Sequence, residues 1–126
     1  MTTLAPAYTY RATFLRAVDG DTIDVLIDLG FHVRLEARLR LAGIDTPERK
    51  GVTAEAGLAA REFTRAWCTR SDLIAERLVI VTLKDRGEKY GRFLARVYWN
   101  ASGESLNDAL VAAGHAKPYD GGARTP

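Results

Sequence analysis

Apolar and polar residues alternate over much of the first third of the chain. Tyr8, Tyr10, Ala12, Phe14 and Arg16 share one face of an extended segment, against Thr9, Arg11 and Thr13. Asp19-Gly20-Asp21 interrupts the pattern as a turn, with the glycine expected to supply a positive φ. From Thr22 to Leu29 the alternation resumes, Ile23, Val25, Ile27 and Leu29 opposing Thr22, Asp24, Leu26 and Asp28. Gly30 marks the next turn. Phe31 to Ile44 then reads as one long half-buried strand, with Val33, Leu35, Ala37, Leu39 and Leu41 set against His32, Arg34, Glu36, Arg38 and Arg40. Three strands joined by short turns make an antiparallel meander.

The period then changes. Asp45 to Val52 has loop composition, Thr53 reads as an N-cap and Glu55 falls in the first turn. Ala56, Ala60, Phe63 and Trp67 recur at helical spacing, which predicts a helix over 54–70 packed on the sheet. A fourth strand is predicted over 74–84, a charged glycine-bearing loop over 85–91, and a fifth strand over 92–99. After a turn at 100–103, Ser105 caps a short helix, Leu106 to Ala113, that Gly114 stops. The order predicts an α+β chain, mainly β with helices: a five-stranded Greek-key barrel of the OB type with two packed helices. One domain is expected over 8–119, with flexible termini at 1–7 and 120–126. Such barrels host many functions, so function has to come from particular residues.

Composition narrows the class. A chain of 126 residues, 47% hydrophobic and 27% charged, supports one core and is neither a disordered chain nor, with no long apolar run, a helical membrane span. The formal charge is only +2, but just four of the 18 cations are lysines (Lys50, Lys84, Lys89 and Lys117). An arginine excess favours grip on phosphate, although a coding bias produces the same excess. Cys68 stands alone, so no intrachain disulfide forms, and with only His32 and His115 beside it no Cys/His zinc site can be built. The first ten residues have neither a basic nor an apolar leader segment, and the expected location is the cytoplasm, or the interior of a host cell for a phage-encoded chain.

Three clusters carry candidate chemistry, each with a plainer alternative. Asp19-Gly20-Asp21-Thr22 is either an ordinary hairpin turn or a pair of oxygen ligands for a hard cation. Arg40 and Asp45-Thr46-Pro47-Glu48 either end a strand and open a helical turn, with Thr46 as cap and Pro47 at its first position, or set an arginine and two carboxylates around a site. The 85–92 segment is either solvated loop or a ligand-approach loop offering Lys89 as a cation, Tyr90 as a stacking face and Arg92 at a strand start. Together these residues form a toolkit for phosphodiester cleavage: a cation to neutralise phosphate, a carboxylate to take a proton from water, and arginines to hold developing charge.

The stretches D-G-D-T, R-L-A-G-I-D-T-P-E, K-Y-G-R-x-L-A-R-V-Y and L-N-D-A-L-V-x-x-G-x-A-K, in order from about Arg11 to Lys117, resemble the staphylococcal nuclease (thermonuclease) family. The resemblance implies an OB-fold barrel and calcium-dependent cleavage of DNA and RNA, single-stranded or locally melted, by in-line attack that leaves 3′-phosphates. It implies Asp21 and Asp45 as Ca²⁺ ligands with the Thr46 backbone carbonyl, Asp19 beside the metal, Glu48 as general base, Arg40 and Arg92 on the phosphate, and Tyr90 at the nucleotide, where the loop's own cation, Lys89, is also expected to bind substrate. Two departures stand out. The segment between Asp21 and Arg40 is longer than in the best-known member, which implies an extended hairpin, and the sequence stops soon after its second helix where that member continues into a third. The short, leaderless form is similar to phage or bacterial intracellular versions. Two rival readings are a non-catalytic OB module that binds nucleic acid or protein, and a metal-free ribonuclease using His32 and His115 as an acid–base pair. Neither reading needs a membrane partner.

Overall fold

The alternation seen in the sequence closes on itself. The computed structural model describes residues 4–69, 78–87, 92–99 and 103–119. Strands β1 (Thr9–Asp19), β2 (Thr22–Asp28), β3 (Arg34–Leu41), β5 (Leu78–Gly87) and β6 (Phe93–Trp99) form a closed barrel in the order β1-β2-β3-β6-β5. All neighbours are antiparallel except β3 and β6, which run parallel. Ile23, Val25, Leu39, Leu41, Leu78, Ile80, Ala95 and Val97 fill the interior as the inward half of each alternating strand. Helices α1 (Ala54–Thr69) and α2 (Leu106–Ala112) pack outside, with Trp67 of α1 meeting Trp99 edge-on at 6.3 Å. No helix among the described residues is long and apolar enough to cross a membrane.

Local chemistry sets several boundaries. Ser105 caps α2 by accepting from the Asp108 backbone N–H at 3.0 Å, and Gly114, at φ 82°, ends it. Asn107 is fully buried: its side-chain oxygen accepts from the Val97 N–H at 3.0 Å, and its amide donates to the carbonyls of Ala42 (2.9 Å) and Ala95 (3.2 Å). One side chain thus fastens α2 to β6 and to the turn after β3.

The structure corrects the sequence reading of the elements in several places. In β1 the ladder slips between Phe14 and Arg16, so Ala17 enters the core and Arg16 leaves the face of Ala12; a bulge resets the period-2 count. Residues Phe31–Val33 are turn and not strand, because Gly30, Phe31 and His32 all take left-handed φ values (76°, 55° and 61°) before β3 begins at Arg34. Residues 85–87 extend β5 instead of opening a loop. Asp45 belongs not to a loop but to β4 (Ile44–Asp45), which pairs with β7 (Lys117–Pro118) after Gly43 turns the chain at φ 78°. In α1, Ala56 faces solvent, and the buried stripe is Gly57, Ala60, Thr64, Trp67 and Cys68, a row of mostly small side chains that admits close approach.

Candidate active site

The β1–β2 turn, the end of β3 and the segment after β4 meet at one end of the barrel. Gly20 sits in the turn because of space and not conformation. Its φ is not positive, but a Cβ there would lie 2.7 Å from Ala60 Cβ and 3.1 Å from the Ala60 carbonyl carbon. Helix α1 holds the turn by two further bonds: Thr64 donates its hydroxyl to the Gly20 carbonyl at 2.5 Å, and Arg61 Nε donates to the Ala17 carbonyl at 3.0 Å. The carboxylates of Asp19 and Asp21 are thereby presented from a turn clamped on a helix.

Asp21 is the hub. Its Oδ1 accepts from the Thr22 hydroxyl (3.1 Å), and its Oδ2 accepts from the Thr46 backbone N–H (3.2 Å) and pairs with Arg40 Nη1 (3.3 Å). Arg40 also donates through Nη1 to the Leu41 carbonyl (3.0 Å) and through Nη2 to Asp45 Oδ1 (3.3 Å). Asp21, Arg40, Asp45 and Thr46 are all less than a tenth exposed. Charges this deep persist only when paired and hydrogen-bonded, and one guanidinium shared by two carboxylates does that here. Arg92 enters from the start of β6, its Nη1 donating to the Thr22 hydroxyl at 3.4 Å. Burial lowers the Arg92 pKa from its ordinary value and the like charge of Arg40 lowers it further, while Asp21 and Asp19 oppose both. Two guanidiniums held this close form a seat that an anion would stabilise.

A cleft of about 470 Å³ opens over this network, lined by Asp19, Asp21, Arg40, Thr46, Glu48 and Arg92, with Pro47, Arg49 and Lys50 on its wall. Asp45 does not line the cleft and reaches it through Arg40. Glu48 is exposed on the wall, and residues 46–48 form no helix, so the reading of Thr46-Pro47-Glu48 as a helix start is overturned. Asp21 takes the Thr46 N–H that holds this stretch against the opposite turn. Gly57 fixes the next stretch: a Cβ there would stand 2.6 Å from the Glu48 carbonyl carbon and 2.7 Å from the Arg49 nitrogen. Thr53 donates its hydroxyl to the Glu48 carbonyl at 2.7 Å.

Sequence reasoning missed Arg49, whose Nε donates to Asp19 Oδ1 at 2.6 Å, and Lys50. Their signal was two consecutive cations directly after the second carboxylate cluster. It also missed Thr22 as the link between Arg92 and Asp21. Lys89 and Tyr90 lie outside the described residues. His32 stands at the exposed β2–β3 turn and His115 packs against Phe63, ring centroids 5.0 Å apart and tilted by 45°; neither lines the cleft.

As donors, the groups at this site are hard oxygens. The carboxylates that line the cleft are Asp19, Asp21 and Glu48, and among the described residues no three His, Cys, Asp or Glu side chains are grouped to hold a metal, so a cation here would complete its shell with water and substrate. That set fits a calcium-like ion and not one that prefers thiolate or imidazole.

Comparison with known proteins finds nucleases among those the chain is similar to. Residues 38–124 match the family model described as Staphylococcal nuclease homologue. The chain is 35% identical over 108 residues to a protein of Escherichia coli O157:H7 named an uncharacterized endonuclease, covering 84% of this chain and 59% of that protein. It is 34% identical over 116 residues to Protein ParB of Escherichia coli, covering 86% of this chain and 57% of that one. It is 39% identical over 90 residues to a micrococcal nuclease of Shigella flexneri, covering 71% and 42%. The chain therefore spans between about two-fifths and three-fifths of the length of these relatives.

Proposed function

Since the chain belongs to the staphylococcal nuclease family, we propose that its cleft hydrolyses phosphodiester bonds of DNA, and of RNA, with calcium as the working ion. The observation that carries this reading is the meeting of Asp21 and Asp45 on Arg40, beneath a cleft that also holds Arg92 and Glu48. Asp21, Asp45 and the Thr46 carbonyl would hold the cation, with Asp19, braced by Arg49, beside them. When bound, the cation neutralises phosphate charge and orients water.

The remaining work falls to the chain. Glu48, exposed to the cleft, takes the proton of the attacking water as its oxygen bonds to phosphorus. Arg40 and Arg92 hold the charge that builds on the phosphoryl oxygens as the P–O5′ bond breaks in line. The leaving oxygen collects a proton from solvent, and a 3′-phosphate remains. Lys89 and Tyr90 complete the proposal at the nucleotide. A strand that is single or locally melted is the substrate in this reading.

Cleavage of single-stranded DNA with calcium and with EDTA tests the proposal against both rivals. Loss of cutting in EDTA supports it. A binding module cuts in neither condition, and a histidine ribonuclease, assayed on RNA, cuts in both.

A further inference from the structure

The outer face of the barrel beside the cleft carries a second arginine group. Alternation along β3 turns Glu36, Arg38 and Arg40 outward together while Ala37, Leu39 and Leu41 point into the core. The ladder sets Asp24 opposite Arg38 in the register that sets Thr22 opposite Arg40. On the other side of β2, the β1 bulge sets Arg16 opposite Asp24. Arg16, Asp24 and Arg38 therefore form a row across three strands, two residues from Arg40, or about 7 Å along the strand.

Within the row the carboxylate is buried and the cations are not. Asp24 has a side chain only 6% exposed, and those of Arg16 and Arg38 are 52% and 50% exposed. Arg38 grips Asp24 with two prongs, Nε to Oδ1 at 2.7 Å and Nη2 to Oδ2 at 3.1 Å. Arg16 Nε reaches Asp24 Oδ2 at 3.2 Å, and its Nη2 reaches Glu36 Oε2 at 3.5 Å. Asp24 is thus a floor that orients two guanidiniums and shows little of its own charge to solvent. The hydrogen bond from Arg38 holds Asp24 below the usual carboxylate range, so the floor stays ionised at neutral pH. Arg92 feels the charge of Arg38 and Arg38 that of Asp19, so the row and the cleft are electrostatically continuous.

The geometry points to a second phosphate seat on Arg38 and Arg16, taking the backbone of the same strand whose bond is cut in the cleft. The spacing along β3 is of the order of that between neighbouring phosphates in an extended strand, and planar forks already fixed by a buried carboxylate lose little freedom when they take an anion. The inference rests on the nuclease reading of the cleft.

The test compares kcat/KM on a thymidine dinucleotide, too short to reach the row, with that on an octamer. Wild type should prefer the octamer. Arg38→Gln should reduce that preference by about tenfold and leave the dinucleotide value unchanged. The salt dependence of octamer binding should become shallower by about 0.7 per charge removed. Asp24→Asn separates this from a purely structural role: it lowers the melting temperature, but because both cations remain, the octamer preference falls by clearly less than in Arg38→Gln even though the forks loosen. If Arg38→Gln does not fold, Arg16→Gln, at the more exposed end of the row, gives the same readouts. An Arg38→Gln protein with wild-type length preference and salt slope would overturn the seat. If wild type cuts neither substrate, the cleft reading has failed, and octamer binding by fluorescence anisotropy then decides the seat alone: weaker binding by Arg38→Gln supports it, equal binding removes it.

Discussion

The two ends of the β2–β3 ladder are built on opposite principles. At the Thr22–Arg40 end, charges are inside: Asp21, Arg40 and Asp45 are buried and tied to one another. At the Asp28–Arg34 end, about 20 Å away, apolar residues are outside: Leu29 is 39% exposed, Phe31 96%, Val33 50% and Leu35 46%. The inward row of the hairpin simply continues past the barrel's edge. Burying ions costs several kcal/mol each unless they are paired. The cleft end carries that cost under a helix, two glycine contacts and β4–β7 pairing, all of which hold charged groups in place before a substrate arrives. Among the described residues the far end is held by bonds within its own turn, Gly30 N–H to Asp28 Oδ1 (2.8 Å) and Leu29 N–H to the Val33 carbonyl (2.9 Å), and that turn carries three successive left-handed residues. The tertiary contacts gather at the end where the cleft lies.

Four substitutions probe this contrast. The largest effect is expected for Glu48→Gln, which keeps size and removes basicity. Single-turnover cleavage should fall by about 10²–10⁴-fold with nucleic-acid affinity nearly unchanged. A rate within about threefold of wild type would remove Glu48 as the base. Arg92→Lys keeps the charge but loses the fork, and turnover should fall by about 10-fold or more at an unchanged melting temperature. Retained turnover would mean that charge alone suffices there. Gly57→Ala forces a methyl against the backbone of Glu48 and Arg49; chemical denaturation should show a loss of about 1–3 kcal/mol, and kcat should drop with it as Glu48 shifts. Phe31→Ser at the far end should change stability by no more than about 0.5 kcal/mol and leave cleavage intact. A Phe31→Ser protein as slow as Glu48→Gln would break the comparison.

Much of this was legible because alternation is a direct signal of a half-buried strand, and four of the five barrel strands announced themselves by it or by a β-branched run. Helix α1 was legible in extent but not in phase. Gly57 and Thr64 line its buried face and carry no hydrophobic signal, since Gly57 serves by being small and Thr64 by donating its hydroxyl to the Gly20 carbonyl. The β1 bulge and the β4–β7 pair were hidden for a related reason: a slipped register and a two-residue ladder depend on partners distant in sequence. At the site, Asp19, Asp21, Arg40, Thr46, Glu48 and Arg92 stood out as types and spacings, and the fold brings them to one cleft. The bonding among them was not legible, because Arg40 shared between Asp21 and Asp45 arises from three segments meeting.

The most direct test of the central claim is to map where nucleic acid sits. Backbone amide shifts should be followed by NMR as a short single-stranded DNA with phosphorothioate linkages, which slow cleavage, is titrated in with calcium. The account predicts that the largest changes fall at Asp19–Thr22, Arg38–Leu41 and Asp45–Lys50, with Gly30–Val33 unmoved. Changes concentrated at the Gly30–Val33 turn, with the Asp21–Arg40 end silent, would contradict it.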